Sequence, residues 1–205
     1  MTKVLNKIAI ILSGPPGCGK DTIANSIINR TTVEKRQFKD ALYEHTAKHF
    51  NVDLDKFIKF ASDRELKDSK SLAGLGGRTP RQALIHVSED IYKPRFGSNY
   101  FGKVEAVKLS ELAGRLGGSF AVIYPDGGFP DECLAIESEL DLLIIIRLHR
   151  DGFDFSGDSR DYINLPDTEA RVSIDISLLD GQEYLGVSDV MHNVNKIIDG
   201  KLNEF

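Results

Sequence analysis

A chain of 205 residues, 41% hydrophobic and 28% charged, is long enough for one α/β domain with a real core and has the balance of an ordinary globular protein. Its net charge of −5 argues against broad binding to a nucleic-acid polymer, so positive charge for an anionic ligand has to be concentrated locally. The longest apolar runs are too short to span a bilayer, no apolar leader region opens the chain, and Cys18 and Cys133 form no metal spacing or disulfide frame, so a cytoplasmic protein is expected.

The first predicted element is a strand, Ile8 to Leu12, that stops at Ser13. A glycine-rich turn follows, Gly14-Pro15-Pro16-Gly17-Cys18-Gly19, then Lys20-Asp21-Thr22 and an amphipathic helix with Ile23, Ala24, Ile27 and Ile28 on one face. Strand, Gly-x-x-x-x-Gly-Lys turn and helix in this order make a phosphate-binding loop of Walker A type. The glycines let backbone N–H groups point at phosphate oxygens, and the helix N-terminus adds partial positive charge. Lys20 supplies a full charge for the β- and γ-phosphates. Asp21 stands where a Ser or Thr hydroxyl usually meets Mg²⁺, and Thr22 comes one place late. Cys18 reads as a small filler whose backbone N–H matters, although a helix N-terminus beside Lys20 is also a setting that lowers a thiol pKa.

Lys35 to Phe38 is a candidate second strand, and Asp40 a candidate cap for a helix running to about Phe50. Leu54, Phe57, Ile58 and Ala61 have helical spacing. Ser62 to Gly77 is polar and then glycine-rich, either a solvated loop or a substrate-binding flap. Thr79-Pro80-Arg81-Gln82 is a capping box that starts a helix expected to end before Pro94. Arg78 and Arg81 at that N-terminus oppose the helix dipole unless an anion binds there or nearby acids pair with them.

Asn99 opens the next predicted helix, which Gly117-Gly118 ends. Phe120 to Tyr124 reads as a buried strand, and Asp126 beyond it is either a Mg²⁺ or water ligand at the carboxyl edge of a sheet, or a turn residue before Gly127-Gly128. A short helix over Phe129 to Glu139 and a strand over Leu142 to Ile146 come next. Leu148 to Leu165 is a long polar stretch, flanked and crossed by Arg147, His149, Arg150 and Arg160; such a loop in a compact domain is usually functional or disordered. Val172 to Ile176 is a fifth strand, and Ser188 a cap for a final helix carrying Val190, Val194, Ile197 and Ile198 inward. Strands alternating with helices predict a parallel sheet covered on both faces, with its ligand at the carboxyl edge.

Several of these stretches together resemble the P-loop nucleoside monophosphate kinases, most of all the bacteriophage deoxynucleoside monophosphate kinases. They are Gly19-Lys20-Asp21-Thr22, Arg64-Glu65-Leu66-Lys67-Asp68, Gly77 to Gln82, Phe96 to Phe101, Ile123 to Glu132, Arg147, and Gly157-Asp158-Ser159-Arg160. Two positions depart from the family's pattern: Gly128 stands where its acid motif (Asp-Val-Arg-Phe-x-Asn-Glu) has Arg, and Arg160 where His is common. The resemblance implies a three-layer αβα P-loop kinase fold with a five-stranded parallel sheet and flexible monophosphate-binding and lid segments. It treats 1–205 as a single domain, with a helical insertion over about 40–117 and a lid over about 148–165.

The implied activity is ATP-dependent phosphoryl transfer to a deoxynucleoside monophosphate, for dNTP supply. A kinase of another phosphorylated metabolite and a P-loop ATPase or switch protein are the alternatives. ATP would lie on Gly14, Pro15, Pro16, Gly17, Cys18, Gly19, Lys20, Asp21 and Thr22, with Arg147 closing on it. Mg²⁺ would meet Asp21, Thr22 or Asp126. The monophosphate would be gripped by Arg81, helped by Arg64, Lys67, Arg78 or Arg95, with Asp68 also in the substrate site, while Gln82 reads a base edge and Tyr100 or Phe101 stacks on it. Lys20, Arg147, Arg160 and Asp126 would serve the transfer itself. The partners implied are these small molecules, with no membrane or nucleic-acid polymer, and a homodimer as the expected assembly. The expected compartment is the cytoplasm, a host's if the chain is virus-encoded.

Overall fold

Alternate residues of β1 (Lys7–Ser13) enter two different cores, which is why its apolar run is unbroken. The computed structural model describes residues 4–156, 158 and 160–203, with Gly157, Ser159 and the side chain of Arg64 outside that description. Among the described residues five strands form one sheet, all paired in parallel, in the order β2-β3-β1-β4-β5. β2 is Glu34–Lys35, β3 Phe120–Tyr124, β4 Leu142–Arg150 and β5 Arg171–Leu178.

On one face Ile10, Leu12, Ile144 and Ile146 pack with Ile23 and Ile27 of α1 (Lys20–Ile28) and Val187, Val190 and Val194 of α9 (Glu183–Asn203). On the other, Ala9, Ile11, Leu143 and Ile145 pack with Leu109 and Leu112 of α7 (Tyr100–Arg115) and Cys133 and Ile136 of α8 (Pro130–Glu137). The result is the expected three-layer αβα fold, held by apolar burial on both faces. Between β2 and α7 the chain builds α2 (Lys39–Phe50), α3 (Leu54–Ser62), α4 (Arg64–Ser69) and α5 (Pro80–Ile85). Tyr43, Ala47, Phe57, Ala61, Leu75 and Leu84 give these helices a third cluster of their own.

Several elements differ from the sequence expectation. β2 begins one residue early and is two residues long. Ser62 to Gly77 is not all loop: Asp63 accepts from the N–H groups of Glu65 and Leu66, both at 2.9 Å, and starts α4. The helix expected to end before Pro94 continues as a π-helical segment, His86–Tyr92, and then α6 (Lys93–Phe96), ending at Gly97 with φ 97°. Proline lacks the N–H and its ring strikes the carbonyl four residues back; the Lys93 N–H already bonds the Ser88 carbonyl five back, so the widened turn removes the clash. β4 runs on to Arg150, into the stretch read as a lid. α9 begins at Glu183, not Ser188, and its early turn packs closely on β5: a Cβ on Gly186 would lie 2.8 Å from Leu178 Cδ2.

Candidate functional site

The glycine-rich turn leaves the carboxyl end of β1 at the centre of the sheet, between β3 and β4. Gly14 must be glycine, since a Cβ would sit 2.8 Å from the Leu148 carbonyl oxygen and 2.9 Å from Cys18 Sγ. Gly17 and Gly19 have φ of 83° and 112°, the left-handed region. Lys20 folds back over the turn, donating to the carbonyls of Gly14 at 2.5 Å and Pro15 at 2.7 Å. It is buried, and desolvation lowers its pKa. Cys18 is fully buried, in keeping with a filler. Asp21 is exposed, and its carboxylate pairs with Lys35 of β2 at 3.0 Å; Thr22 is exposed beside it.

A cavity of about 550 Å³ opens beside this turn, between the sheet edge and the helical insertion. Pro16 of the turn lines it, with Lys39, Lys67, Asp68 and Arg81 from the insertion, Asp126 and Glu132 from the β3–α8 region, and Asp158 and Arg160 from the stretch after β4. Phe38, Tyr43, Phe101 and Phe129 add aromatic surface. Among the described residues the lining holds five basic side chains, Lys39, Lys67, Arg81, Lys93 and Arg160, against five acidic ones, Asp68, Glu89, Asp126, Glu132 and Asp158.

The cations are held in place by these acids. Asp68 takes Nε and Nη2 of Arg81, which raises the Arg81 pKa and lowers that of Asp68. Asp158 takes Nε and Nη2 of Arg160 at 2.9 and 2.8 Å, with the same two effects. Nη1 of Arg160 donates to the Asp126 carbonyl oxygen at 2.9 Å. Arg160 also lies close enough to Lys20 to depress its pKa further. Burial lowers the pKa of Lys67, with Arg81 adding to the effect.

Asp126 follows β3, and burial raises its pKa. Its Oδ2 accepts from the Lys39 N–H at 3.1 Å, while Oδ1 is buried with no hydrogen-bond partner among the described residues. That orphaned oxygen is a free acceptor for a metal ion or a metal-bound water. Among the described residues no three His, Cys, Asp or Glu side chains converge as a metal cage, so a cation here would need oxygens from a ligand.

The other sequence-derived positions fall elsewhere. Arg147 lies beside Ser13 in the sheet, and its guanidinium pairs with Asp175 of β5 at 2.9 and 2.6 Å. Arg150 pairs with Asp180 close to Gly19. Arg78 lies over the Phe50 ring, 5.9 Å from its centroid, and Arg95 is exposed on α6. Gln82 spends its Oε1 on the Thr79 N–H at 3.0 Å, closing the capping box. Tyr100 stacks on Tyr92 and Phe96 and meets His45 Nε2 at 3.0 Å, away from the cavity; its neighbour Phe101 is the one that lines it. Arg64 and Gly157-Ser159 cannot be placed, since the side chain of the first and both residues of the second lie outside the described set.

Gly128 explains its own departure from the family pattern. It has φ 61°, and a Cβ would lie 2.7 Å from the Phe38 ring, which stacks on Tyr124 at 4.6 Å. No arginine fits there on this backbone, and the guanidinium of Arg160 reaches the same turn through the Asp126 carbonyl. Lys39, Lys93, Glu132 and Asp158 were given no site role from the sequence. Glu132 and Asp158 lay within quoted motifs, Glu132 as the third residue of the helix that Pro130 starts; Lys39 and Lys93 had no signal.

No family model matches the chain, and no curated protein matches its sequence. Solved structures match its fold. A sugar kinase from a Janibacter species, solved without ligand, has a TM-score of 0.52 at 12% identity, over 93% of this chain and 95% of that one. A protein of Chloroflexus aurantiacus described as a kinase has a TM-score of 0.47 at 13% identity, over 97% of this chain and all of the other.

Proposed function

We propose that this chain is a kinase that transfers the γ-phosphoryl group of ATP to a nucleoside monophosphate, a deoxynucleotide by the family resemblance. The carrying observation is Arg160, which lines the cavity, reaches the Asp126 carbonyl at the sheet edge, and lies close enough to Lys20 to lower its pKa. A guanidinium between the triphosphate loop and a second basic site is what in-line transfer between two phosphates needs.

In this reading Lys20 leaves the carbonyls of Gly14 and Pro15 for the β- and γ-phosphates, trading a desolvated site for a strong charge pair. Arg81 and Lys67 take the acceptor phosphate. Arg160 bridges the donor and acceptor sides and neutralises charge as the phosphoryl group moves. Asp126 fits Mg²⁺ through its unpartnered Oδ1, and the ion would polarise the β- and γ-oxygens when bound with ATP. Asp21 is held by Lys35, so it serves that ion only if the pair opens. Closure of the apolar walls and the Arg160 side chain over bound substrates would exclude water, which otherwise diverts ATP to hydrolysis.

The test is turnover of ATP and Mg²⁺ with dAMP, dGMP, dCMP, dTMP and modified pyrimidine monophosphates. At least one diphosphate product is expected, and Lys20→Ala should lose at least about 10²-fold in kcat. No product across the whole panel overturns the proposal.

A further inference from the structure

The wall of the cavity formed by the π-helical segment, α6 and α8 is polar in an uneven way. Glu89 is satisfied: Ser88 Oγ donates to its Oε1 at 2.9 Å and Lys93 Nζ at 2.6 Å. Lys93 also lies 5.0 Å from the centroid of the Phe129 ring. Glu132 is only 7% exposed, yet among the described residues it receives one hydrogen bond, from the Phe129 N–H to Oε2 at 2.8 Å. No described side chain donates to it. A carboxyl group this buried is costly as an anion without donors. Burial, with the charge of Asp126 adding to it, pushes its pKa up to about 7. Phe38, Phe101 and Phe129 line the same cavity, so a flat ring has apolar faces to lie against.

We infer that Glu132 is the specificity-determining residue of the acceptor site, selecting a ring edge that offers N–H donors. The inference rests on the cavity being the acceptor site. A carboxylate accepts two parallel N–H groups best, and among the common bases the guanine edge offers adjacent imino and amino donors. The Lys93 ammonium on the same wall supplies a donor for the neighbouring carbonyl. Thymine presents one imino N–H between two carbonyl oxygens, which face the carboxylate unfavourably. Vicinal hydroxyls of a sugar phosphate share the donor chemistry without the flat ring.

The experiment measures binding by calorimetry, and turnover with ATP and Mg²⁺, for dGMP, dIMP, dTMP and a hexose phosphate, in the wild-type chain and Glu132→Gln. The glutamine keeps a carbonyl oxygen for the Phe129 N–H, so the start of α8 is preserved. Wild type should favour dGMP over dTMP by at least about tenfold, with dIMP between them because it lacks the amino donor. Glu132→Gln should bring the dGMP:dTMP ratio close to one without losing phosphate-dependent binding. The wild-type ratio should also grow from pH 6 to pH 8 as the carboxyl ionises, and stay flat in the variant. The charged groups facing Glu132 are Asp126 from the turn after β3, Lys93 from α6 and Arg160 from the stretch after β4; α7 meets it with Gly102, which cannot titrate. An unchanged ratio in Glu132→Gln, or tightest binding of the hexose phosphate, overturns the assignment. Selective binding without turnover sinks the phosphoryl-transfer reading and still supports Glu132. No binding of any monophosphate overturns both.

Discussion

Glu132 is a residue whose folded setting opposes its charge. The carboxyl pKa is about 4.5 when unfolded and about 7 when folded, so the folded state holds the proton longer. The stability this contributes is complete below about pH 4.5 and is lost as pH rises through about 7. Replacing the group by a neutral amide removes the loss. Glu132→Gln should therefore melt above wild type at pH 8, by up to about 3 kcal/mol, and close to it at pH 5. Thermal melts at the two pH values check this. A residue that weakens the fold at working pH while facing a cavity fits a function maintained at the expense of stability. Lys20 is of the same kind: buried, desolvated, and bonded to loop carbonyls in place of an anion.

At the level of elements, the contact that holds Glu132 in place is the crossing of α7 and α8. A Cβ on Gly102 would lie 2.6 Å from the Glu132 Cα and 2.8 Å from its carbonyl oxygen, both backbone atoms that cannot swing aside. Gly102→Ala should push the helices apart and cost about 1–3 kcal/mol, read as a lower urea midpoint. It should also raise the acceptor KM more than that for ATP, because α8 carries the cavity wall and α1 does not. The π-helical segment acts on the same wall. Its wider turn carries the chain through Pro94 and brings Ser88, Glu89 and Lys93 to the cavity, where a helix ending at Tyr92 would have lost α6.

Over the whole molecule, five acids face five bases among the described residues of the cavity, and Arg81 and Arg160 are each engaged by an aspartate. In the proposed reaction, binding two phosphates would be an exchange of partners, displacing Asp68 and Asp158, with the gain largest when both sites fill together. A bisubstrate analogue, two nucleosides joined by a polyphosphate, should raise Tm by more than the sum of the shifts from a non-hydrolysable ATP analogue and dGMP. It should also slow amide exchange across 151–162, the stretch carrying Asp158 and Arg160. An analogue that binds no better than its halves would mean that the two sites are not joined.

The layering and the glycine-rich turn after β1 were legible in the amino-acid order because each is local or periodic. Gly14 to Lys20 encodes its own backbone geometry, and apolar runs such as Ile8 to Leu12 report burial on both sides. Local patterns also carried signals that were passed over, such as Asp63 capping α4 and Glu132 in the first turn of α8. Other features had no local signature. Lys93 reaches the cavity only because a π turn re-aims it, and Gln82 is used up by its own cap. Arg147 pairs with Asp175, 28 residues on, because β4 and β5 lie side by side. Gly128 reads in sequence as a missing charge; in the fold it is a space already filled by Phe38. Chain order carries what neighbours in sequence impose on each other, whereas the partner of each charge depends on which strands and helices pack together, and that was decided by the tertiary structure alone.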